Sequence, residues 1–154
     1  MAVRVVSYAV PAWGVGELWY ERGTLVNHEL PRAGRPPRGV GSSPLVDRIR
    51  AYFAGHPVAY EGVAIDLSWT TPFQQSVADV LRDVPYGETV TYGELAVLAG
   101  HPNAHRAAGT FCAGNRFPLI LPCHRVVSAT GVGSYGSLGA PYKRRLLALE
   151  GVER

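Results

Sequence analysis

The chain has 154 residues, of which 47% are hydrophobic, and a formal net charge of +3. This length and composition exclude a globally disordered chain and suit one ordinary domain or two small ones. No apolar run approaches the ~18 residues that a membrane-spanning helix requires, and the start of the chain lacks the long apolar region of a signal peptide. We therefore expect no membrane partner. The two cysteines fit a reducing cytoplasm, in which we expect both thiols to be free.

The first third of the chain predicts an antiparallel sheet followed by a helix. Three short β-branched or aromatic segments cover residues 3–10, 16–21 and 24–29. Glu21-Arg22-Gly23 is typical of a hairpin turn, and the Pro-, Gly- and Arg-rich stretch 31–43 indicates an exposed loop. Ser43 then provides an N-cap with proline at the first helical position, and Gly55 ends the helix. One further strand is predicted over residues 63–67.

The pattern becomes helical after a boundary near residues 68–71. We therefore predict two domains, an N-terminal α/β domain over 1–70 and a C-terminal domain over 71–154. The second domain opens on an apolar stripe at helical spacing, which Pro85-Tyr86-Gly87 ends. The stripe consists of Phe73, Val77, Val80, Leu81 and Val84.

Two helices joined by a tight turn are predicted between residues 91 and 115. Thr91 and Glu94 form a capping-box signature, and the helix that they open ends at Gly100. Asn103 is a suitable N-cap for a second helix over residues 104–113. This arrangement is typical of a helix-turn-helix.

The C-terminal third of the chain is cationic. Residues 95–149 contain six basic side chains and no Asp or Glu, which favours a polyanionic partner. The helix over 104–113 consists mostly of small residues and carries one long cation, Arg106. That composition suits either close docking on DNA or tight packing inside the protein.

Cys123 is the strongest candidate for chemistry. It follows an apolar run and Pro122, and His124 and Arg125 come directly after it. A thiol with a base and a cation beside it is a candidate nucleophile. The alternative is a small buried residue that ends a core strand.

In the order and spacing of its motifs, the second half of the chain resembles the O6-alkylguanine-DNA alkyltransferases. The resemblance covers residues 72–151 and rests most on Pro122-Cys123-His124-Arg125-Val126. The other matching elements are Thr91-Tyr92-Gly93-Glu94-Leu95-Ala96, Arg106-Ala107-Ala108-Gly109, Gly114-Asn115-Arg116 and Leu146-Leu147-Ala148-Leu149-Glu150-Gly151. It implies an α/β (α+β) fold, with a ribonuclease H-like antiparallel sheet and helix first and a winged-helix-like domain with a helix-turn-helix second.

The resemblance also implies an activity and a catalytic set. Members of the family repair O6-alkylguanine, and less readily O4-alkylthymine, by moving the alkyl group irreversibly onto their own cysteine, here Cys123. In the family pattern Glu150 orients His124, which takes the thiol proton through a bridging water. Tyr92 matches a tyrosine that donates toward the leaving base, and Asn115 matches an asparagine that ties the recognition helix to the cysteine turn. The sequence alone would favour an exposed carboxylate at Glu150.

Double-stranded DNA is the implied partner, bound through its minor groove with the alkylated guanine flipped out. Arg106 matches the arginine that fills the vacancy in the stack. Further DNA contacts are expected from Thr91, Ala107, Gly109, Thr110 and Arg116. The base pocket is expected to contain Tyr92, Val126, Tyr135 and Gly136. We expect a monomer that needs no cofactor and no metal, with Cys112 as a small buried residue.

Three other functions stay open on the sequence alone. One is an alkyltransferase-like protein that only marks lesions, although such relatives lack the cysteine that Cys123 provides here. Another is a cysteine hydrolase that uses Cys123 and His124. The last is a plain DNA-binding regulator, which would prefer a base sequence and lose nothing on Cys123→Ser.

Overall fold

The computed structural model describes residues 3–39 and 42–153, which form two compact units. The first unit contains the chain up to Asp66 together with Arg116–Pro118, and the second contains Leu67–Asn115 and the chain from Leu119 onward. The units divide just before the boundary predicted near residues 68–71. Arg116–Pro118, expected in the C-terminal domain, lies in the first unit.

The first unit is a three-stranded antiparallel sheet with one helix. Strand β1 covers Val3–Val10, β2 Gly14–Glu21 and β3 Thr24–Arg32, in the order β1-β2-β3. Tyr8 of β1 faces Gly16 of β2, and a Cβ atom at Gly16 would lie 2.3 Å from a ring carbon of Tyr8. Glycine at this position therefore makes room for a buried tyrosine.

Helix α1 covers Pro44–Phe53 and begins as predicted. The hydroxyl of Ser43 accepts a hydrogen bond from the Leu45 N–H at 3.1 Å, which confirms the N-cap. The apolar side chains at helical spacing are buried: Leu45, Val46, Ile49, Tyr52 and Phe53. This stripe gives the unit its core.

Two predictions for the first unit are wrong. Strand β3 continues to Arg32, into the stretch expected to be a loop, because it pairs with β2 as far as Val15. The predicted strand over 63–67 is reduced to one bridge between Ile65 and Leu25. A turn occupies the residues just before this segment, so its β-branched residues do not form a strand that pairs over several residues.

The second unit carries most of the helices. Helix α2 covers Pro72–Arg82, the short strand β4 covers Val90–Thr91, α3 covers Tyr92–Leu98 and α4 covers His105–Ala113. A 3-10 turn at Cys123–Arg125 leads into β5, Val126–Val127, which pairs in parallel with β4. Helix α5 covers Gly139–Leu149. Within the described part of the chain, no helix has the length and apolar character needed to cross a membrane.

The helix-turn-helix is present, with one difference from the prediction. The capping box of α3 is confirmed, since the Thr91 hydroxyl accepts from the Glu94 N–H and the Glu94 carboxylate accepts from the Thr91 N–H. The predicted N-cap at Asn103 is wrong: α4 begins at His105, and Ala104 occupies the cap position. The Ala104 N–H closes the turn on the carbonyl of His101 at 2.9 Å, which moves the helix start one residue along.

Candidate active site

Helices α3 and α4, the 3-10 turn and the loop before α5 surround one cavity in the second unit. It is open to solvent on one side, and its open space, including that mouth, is about 230 Å³. Its lining combines two phenol rings, two thiols and small residues. The residues are Tyr92, Gly109, Cys112, Ala113, Cys123, Ser134, Tyr135 and Gly136. A concave site with polar groups that converge on it is a candidate small-ligand pocket.

Cys123 is one of the residues that line this cavity. Only 4% of the residue is exposed, because it begins the 3-10 turn directly after Pro122. The side-chain amide of Asn115 donates to Sγ at 3.1 Å and to the Leu121 carbonyl at 2.7 Å. Burial raises the pKa of the Cys123 thiol, while the Asn115 amide and the charge of Lys143 act to lower it. The resting sulfur is therefore a protonated thiol that needs a base.

His124, the next residue in the chain, is held by a buried carboxylate. The ring Nε2–H donates to Oε2 of Glu150 at 2.5 Å, and the two residues are 0% and 7% exposed. Because a carboxylate only accepts hydrogen bonds, this contact puts the ring hydrogen on Nε2 and leaves Nδ1 as the basic nitrogen. Burial lowers the pKa of His124, so its imidazole is neutral at physiological pH and able to accept a proton.

Hydrogen bonds from His124, Arg125 and Gly87 keep Glu150 ionised. The Nε of Arg125 donates to Oε1 at 2.9 Å and its Nη2 to Oε2 at 3.2 Å, while Nη1 donates to the carbonyl of Val84. The backbone N–H of Gly87 adds a further bond to Oε1 at 2.8 Å. Burial alone would raise the pKa of Glu150, but the bonds from His124, Arg125 and Gly87 together lower it to about 2. The exposed carboxylate that the sequence favoured is instead a buried anion that accepts hydrogen bonds from three residues.

Tyr92 faces the thiols from the start of α3. Burial, with the charges that the two thiols would carry, raises the pKa of its phenol to about 12, so the hydroxyl remains a donor. The Nζ of Lys143 lies 3.3 Å from the Tyr92 hydroxyl and 3.1 Å from the Ser134 carbonyl. The loop glycine Gly133 has φ +80°, and a Cβ atom there would lie 3.3 Å from the Tyr92 ring. The positive φ therefore favours glycine at this point, and a larger residue would also press on the Tyr92 ring.

Sequence reasoning missed Lys143. It is 0% exposed and sits on α5 with Leu146 and Leu147, the buried residues three and four positions later. Burial lowers its pKa, while the thiols of Cys123 and Cys112 act to raise it. A lysine in phase with an apolar stripe was the available signal, since a surface lysine would fall on the opposite face.

The structure places the predicted pocket residues unevenly. Tyr92, Tyr135 and Gly136 line the cavity, whereas Val126 is fully buried in β5, outside the set of described residues that line it. Cys112 is buried as expected, and it also lines the cavity from α4, which the sequence analysis did not anticipate.

The residues predicted to contact DNA lie in three places. Arg106, Ala107 and Thr110 are exposed on α4, and Gly109 is half-buried beside the cavity. The Thr91 hydroxyl is used in the capping box of α3. Arg116 is exposed, but it belongs to the first unit.

No group of three or more His, Cys, Asp or Glu side chains within residues 3–39 and 42–153 is arranged to hold a metal ion.

Comparison with known proteins gives a consistent result. Residues 72–152 match the family model described as "6-O-methylguanine DNA methyltransferase, DNA binding domain". The methylated-DNA–protein-cysteine methyltransferase of Methanopyrus kandleri is 40% identical over 125 residues, which cover 79% of this chain and 92% of that protein. The protein of the same name from Mycobacterium tuberculosis H37Rv is 46% identical over 106 residues, covering 68% of this chain and 62% of that protein.

Solved structures extend the similarity to the whole fold. The crystal structure of Mycobacterium tuberculosis O6-methylguanine methyltransferase superposes with a TM-score of 0.82 at 35% identity, covering 97% of this chain and 93% of that one. A second crystal structure from that organism, of OGT in complex with DNA, gives a TM-score of 0.81 at 36% identity over 96% of this chain and 93% of that one.

Proposed function

This chain belongs to the O6-methylguanine DNA methyltransferase family, and on that premise we propose that it repairs alkylated DNA by moving the alkyl group from O6 of guanine onto Sγ of Cys123. The observation that carries the proposal is the position of that sulfur, which lines a solvent-accessible cavity one residue before a buried His–carboxylate pair. Its relatives are methylated-DNA–protein-cysteine methyltransferases, and one related structure holds DNA.

The reaction is a displacement at carbon. A new bond forms between Sγ and the alkyl carbon as the bond from that carbon to O6 breaks, and the electron pair of that bond remains with guanine. The thiol proton leaves through a bridging water to Nδ1 of His124, and guanine is restored when it regains a proton. Because the pKa of His124 is lowered and that of Glu150 is about 2, the pair begins as neutral imidazole and carboxylate. The carboxylate then stabilises the imidazolium that forms.

Tyr92 and Lys143 support departure of the base. The phenol, with its pKa raised to about 12, stays protonated and donates toward the guanine as negative charge develops there. The ammonium of Lys143, 3.3 Å from the Tyr92 hydroxyl, polarises that donor and favours the thiolate of Cys123. Neither role needs a cofactor.

The product is a thioether, which water does not hydrolyse. Each molecule therefore acts once, and the reaction is stoichiometric. A free, unoxidised Cys123 is required beforehand, which the reducing cytoplasm would maintain.

Double-stranded DNA is the proposed partner, approached through its minor groove by a single copy of the protein. The exposed side of α4 supports this, since Arg106, Ala107 and Thr110 lie there in an acid-free stretch of the chain. A base within a duplex cannot reach a buried sulfur, so the alkylated guanine must be flipped out. Arg106 is the side chain proposed to take its place in the stack.

The test is intact-mass analysis after mixing the protein with a duplex that contains one O6-methylguanine. We expect the protein mass to rise by one methyl group, the modified peptide to contain Cys123, and the yield to stop at one methyl per protein. A Cys112→Ala variant is the matched control, because Cys112 lines the same cavity and should not be the acceptor. Unchanged mass, or methyl found on Cys112, contradicts the proposal.

Arg106→Ala separates base extrusion from the chemistry. We expect transfer from a duplex to slow by about tenfold or more, because an unstacked base costs a few kcal/mol that the inserted side chain offsets. Transfer from free O6-benzylguanine should stay at the wild-type rate, since no stack has to be opened. Single-turnover rates on the two substrates measure this, with Arg144→Ala as a control for loss of positive charge. Equal slowing on both substrates would argue against the extrusion role.

A further inference from the structure

A buried histidine in the first unit contacts the segment Arg116–Pro118. His28 lies in β3 and is 2% exposed. Its backbone N–H donates to the carbonyl of Arg116 at 2.8 Å, and its ring Nδ1 lies 2.8 Å from the carbonyl of Pro118. One strand residue thus holds both ends of this three-residue segment.

Hydrogen bonds and burial hold the His28 ring in one neutral tautomer. Because the Pro118 carbonyl only accepts, Nδ1 carries the hydrogen, and Nε2 therefore accepts from the hydroxyl of Tyr8 at 2.5 Å. Burial lowers the pKa of His28 to about 4, so the ring is neutral at physiological pH. Both ring nitrogens form hydrogen bonds, which a residue that only filled space in the core would not need.

The segment that His28 holds lies between two parts of the cysteine support. Arg116 is bonded directly to Asn115, whose amide donates to the sulfur of Cys123, and Pro118 is bonded directly to Leu119. Leu119 has φ +75°, a strained conformation for a leucine. Two residues later the Leu121 carbonyl accepts the second bond from Asn115. A strained residue persists only where its surroundings hold the chain on both sides.

We propose that His28 is a positioning residue for alkyl transfer, which acts through the Pro118 carbonyl to hold the chain between Asn115 and Leu119. The covalent chain transmits the restraint, so that the Asn115 amide remains on the sulfur of Cys123. This inference rests on the proposed function, because its consequence is measured as transfer to Cys123. Under this proposal, a residue of strand β3 in the first unit supports alkyl transfer to Cys123.

Two polar substitutions separate this role from packing. In His28→Asn the side-chain amide nitrogen takes the place of Nδ1 and still donates to Pro118. In His28→Gln the amide reaches the place of Nε2, near Tyr8, and leaves the Pro118 carbonyl without its donor. Both variants replace a buried ring with a smaller amide, so both should be less heat-stable than the wild type.

The readout is the single-turnover rate constant for methyl transfer with all protein bound to O6-methylguanine duplex. We expect His28→Asn to stay within about threefold of the wild type and His28→Gln to fall about tenfold or more, since small displacements of reacting groups are costly. DNA affinity should be equal in all three proteins, because α4 is unaltered. A general loss of stability would not lower the transfer rate constant while leaving DNA affinity unchanged.

Ile49→Ala is the matched control, a fully buried substitution in α1 of the same unit and outside the segment that His28 holds. It should lower the melting temperature and leave the transfer rate constant of the folded protein unchanged. Equal rates for His28→Asn and His28→Gln, or rates that follow melting temperature across all variants, would overturn the inference. Wild-type protein that transfers no methyl group in this assay would instead overturn the proposed function.

Discussion

Replacing Cys123 with serine should abolish alkyl transfer and leave DNA binding at the wild-type level. The hydroxyl is close in size to the thiol, so the cavity and the Asn115 hydrogen bond persist, but an alcohol ionises far less readily and is a much weaker nucleophile. Intact mass after exposure to O6-methylguanine duplex measures transfer, and fluorescence anisotropy with the same duplex measures binding.

The two readouts have different consequences for this variant. Loss of DNA binding would mean that Cys123 has a structural role, as in the alternative of a buried cysteine. A methyl group still recovered on the protein would place the acceptor elsewhere. Cys112→Ala should transfer normally, because the proposed base His124 follows Cys123 directly in the chain and the Asn115 amide donates to the sulfur of Cys123.

Replacing Glu150 with glutamine should have the second-largest effect. The change removes the negative charge that faces Arg125 and that would stabilise a protonated His124. We expect the transfer rate constant to fall about 100-fold, the usual range for loss of a positioned acid–base group. We also expect the free energy of unfolding to fall by about 3 kcal/mol, because a buried guanidinium is left without its counter-charge.

Single-turnover kinetics and urea unfolding measure the two effects separately. Glu153→Gln is a suitable control, since that carboxylate is exposed and lies three residues further along the chain. A transfer rate constant within about twofold of the wild type would remove Glu150 from the proposed mechanism, whatever the loss of stability.

The pH dependence of stability provides an independent check on Glu150. Its folded pKa of about 2 lies below its ordinary value of 4.5, so folding favours the ionised form. The contribution of this group is therefore complete above about pH 4.5 and is lost as the pH falls toward 2. The stability curves of the wild type and Glu150→Gln should converge on acidification.

Much of the local structure could be predicted from the residues themselves. Ser43 and the Thr91–Glu94 capping box mark helix starts that the structure confirms, because a cap satisfies backbone N–H groups within the next three residues. Asn103 does not cap α4, because the hydrogen bond from the Ala104 N–H to the His101 carbonyl closes the turn and the helix begins one residue later. Short-range chemistry is therefore predictive until a neighbouring turn competes with it.

Some residues of the candidate site could be predicted from the sequence and others could not. Cys123 and His124 are adjacent in the sequence, and their chemistry was visible there. The resemblance to a known family supplied the pairing of His124 with Glu150, 26 positions along the chain, and the structure shows that contact at 2.5 Å. Lys143 was missed, since nothing in its own neighbours indicates that its ammonium lies beside Tyr92.

The helix-turn-helix, the candidate nucleophile and the family could be predicted from the residues alone, because each depends on residue types at short, regular spacing along one chain. The burial of Glu150 and Lys143, and the place of Arg116–Pro118 with the β-sheet, are visible only in the folded protein. Those contacts join residues 25 to 90 positions apart. These contacts form only when the whole chain folds. A charge that would be solvated at the surface then becomes buried and needs a partner.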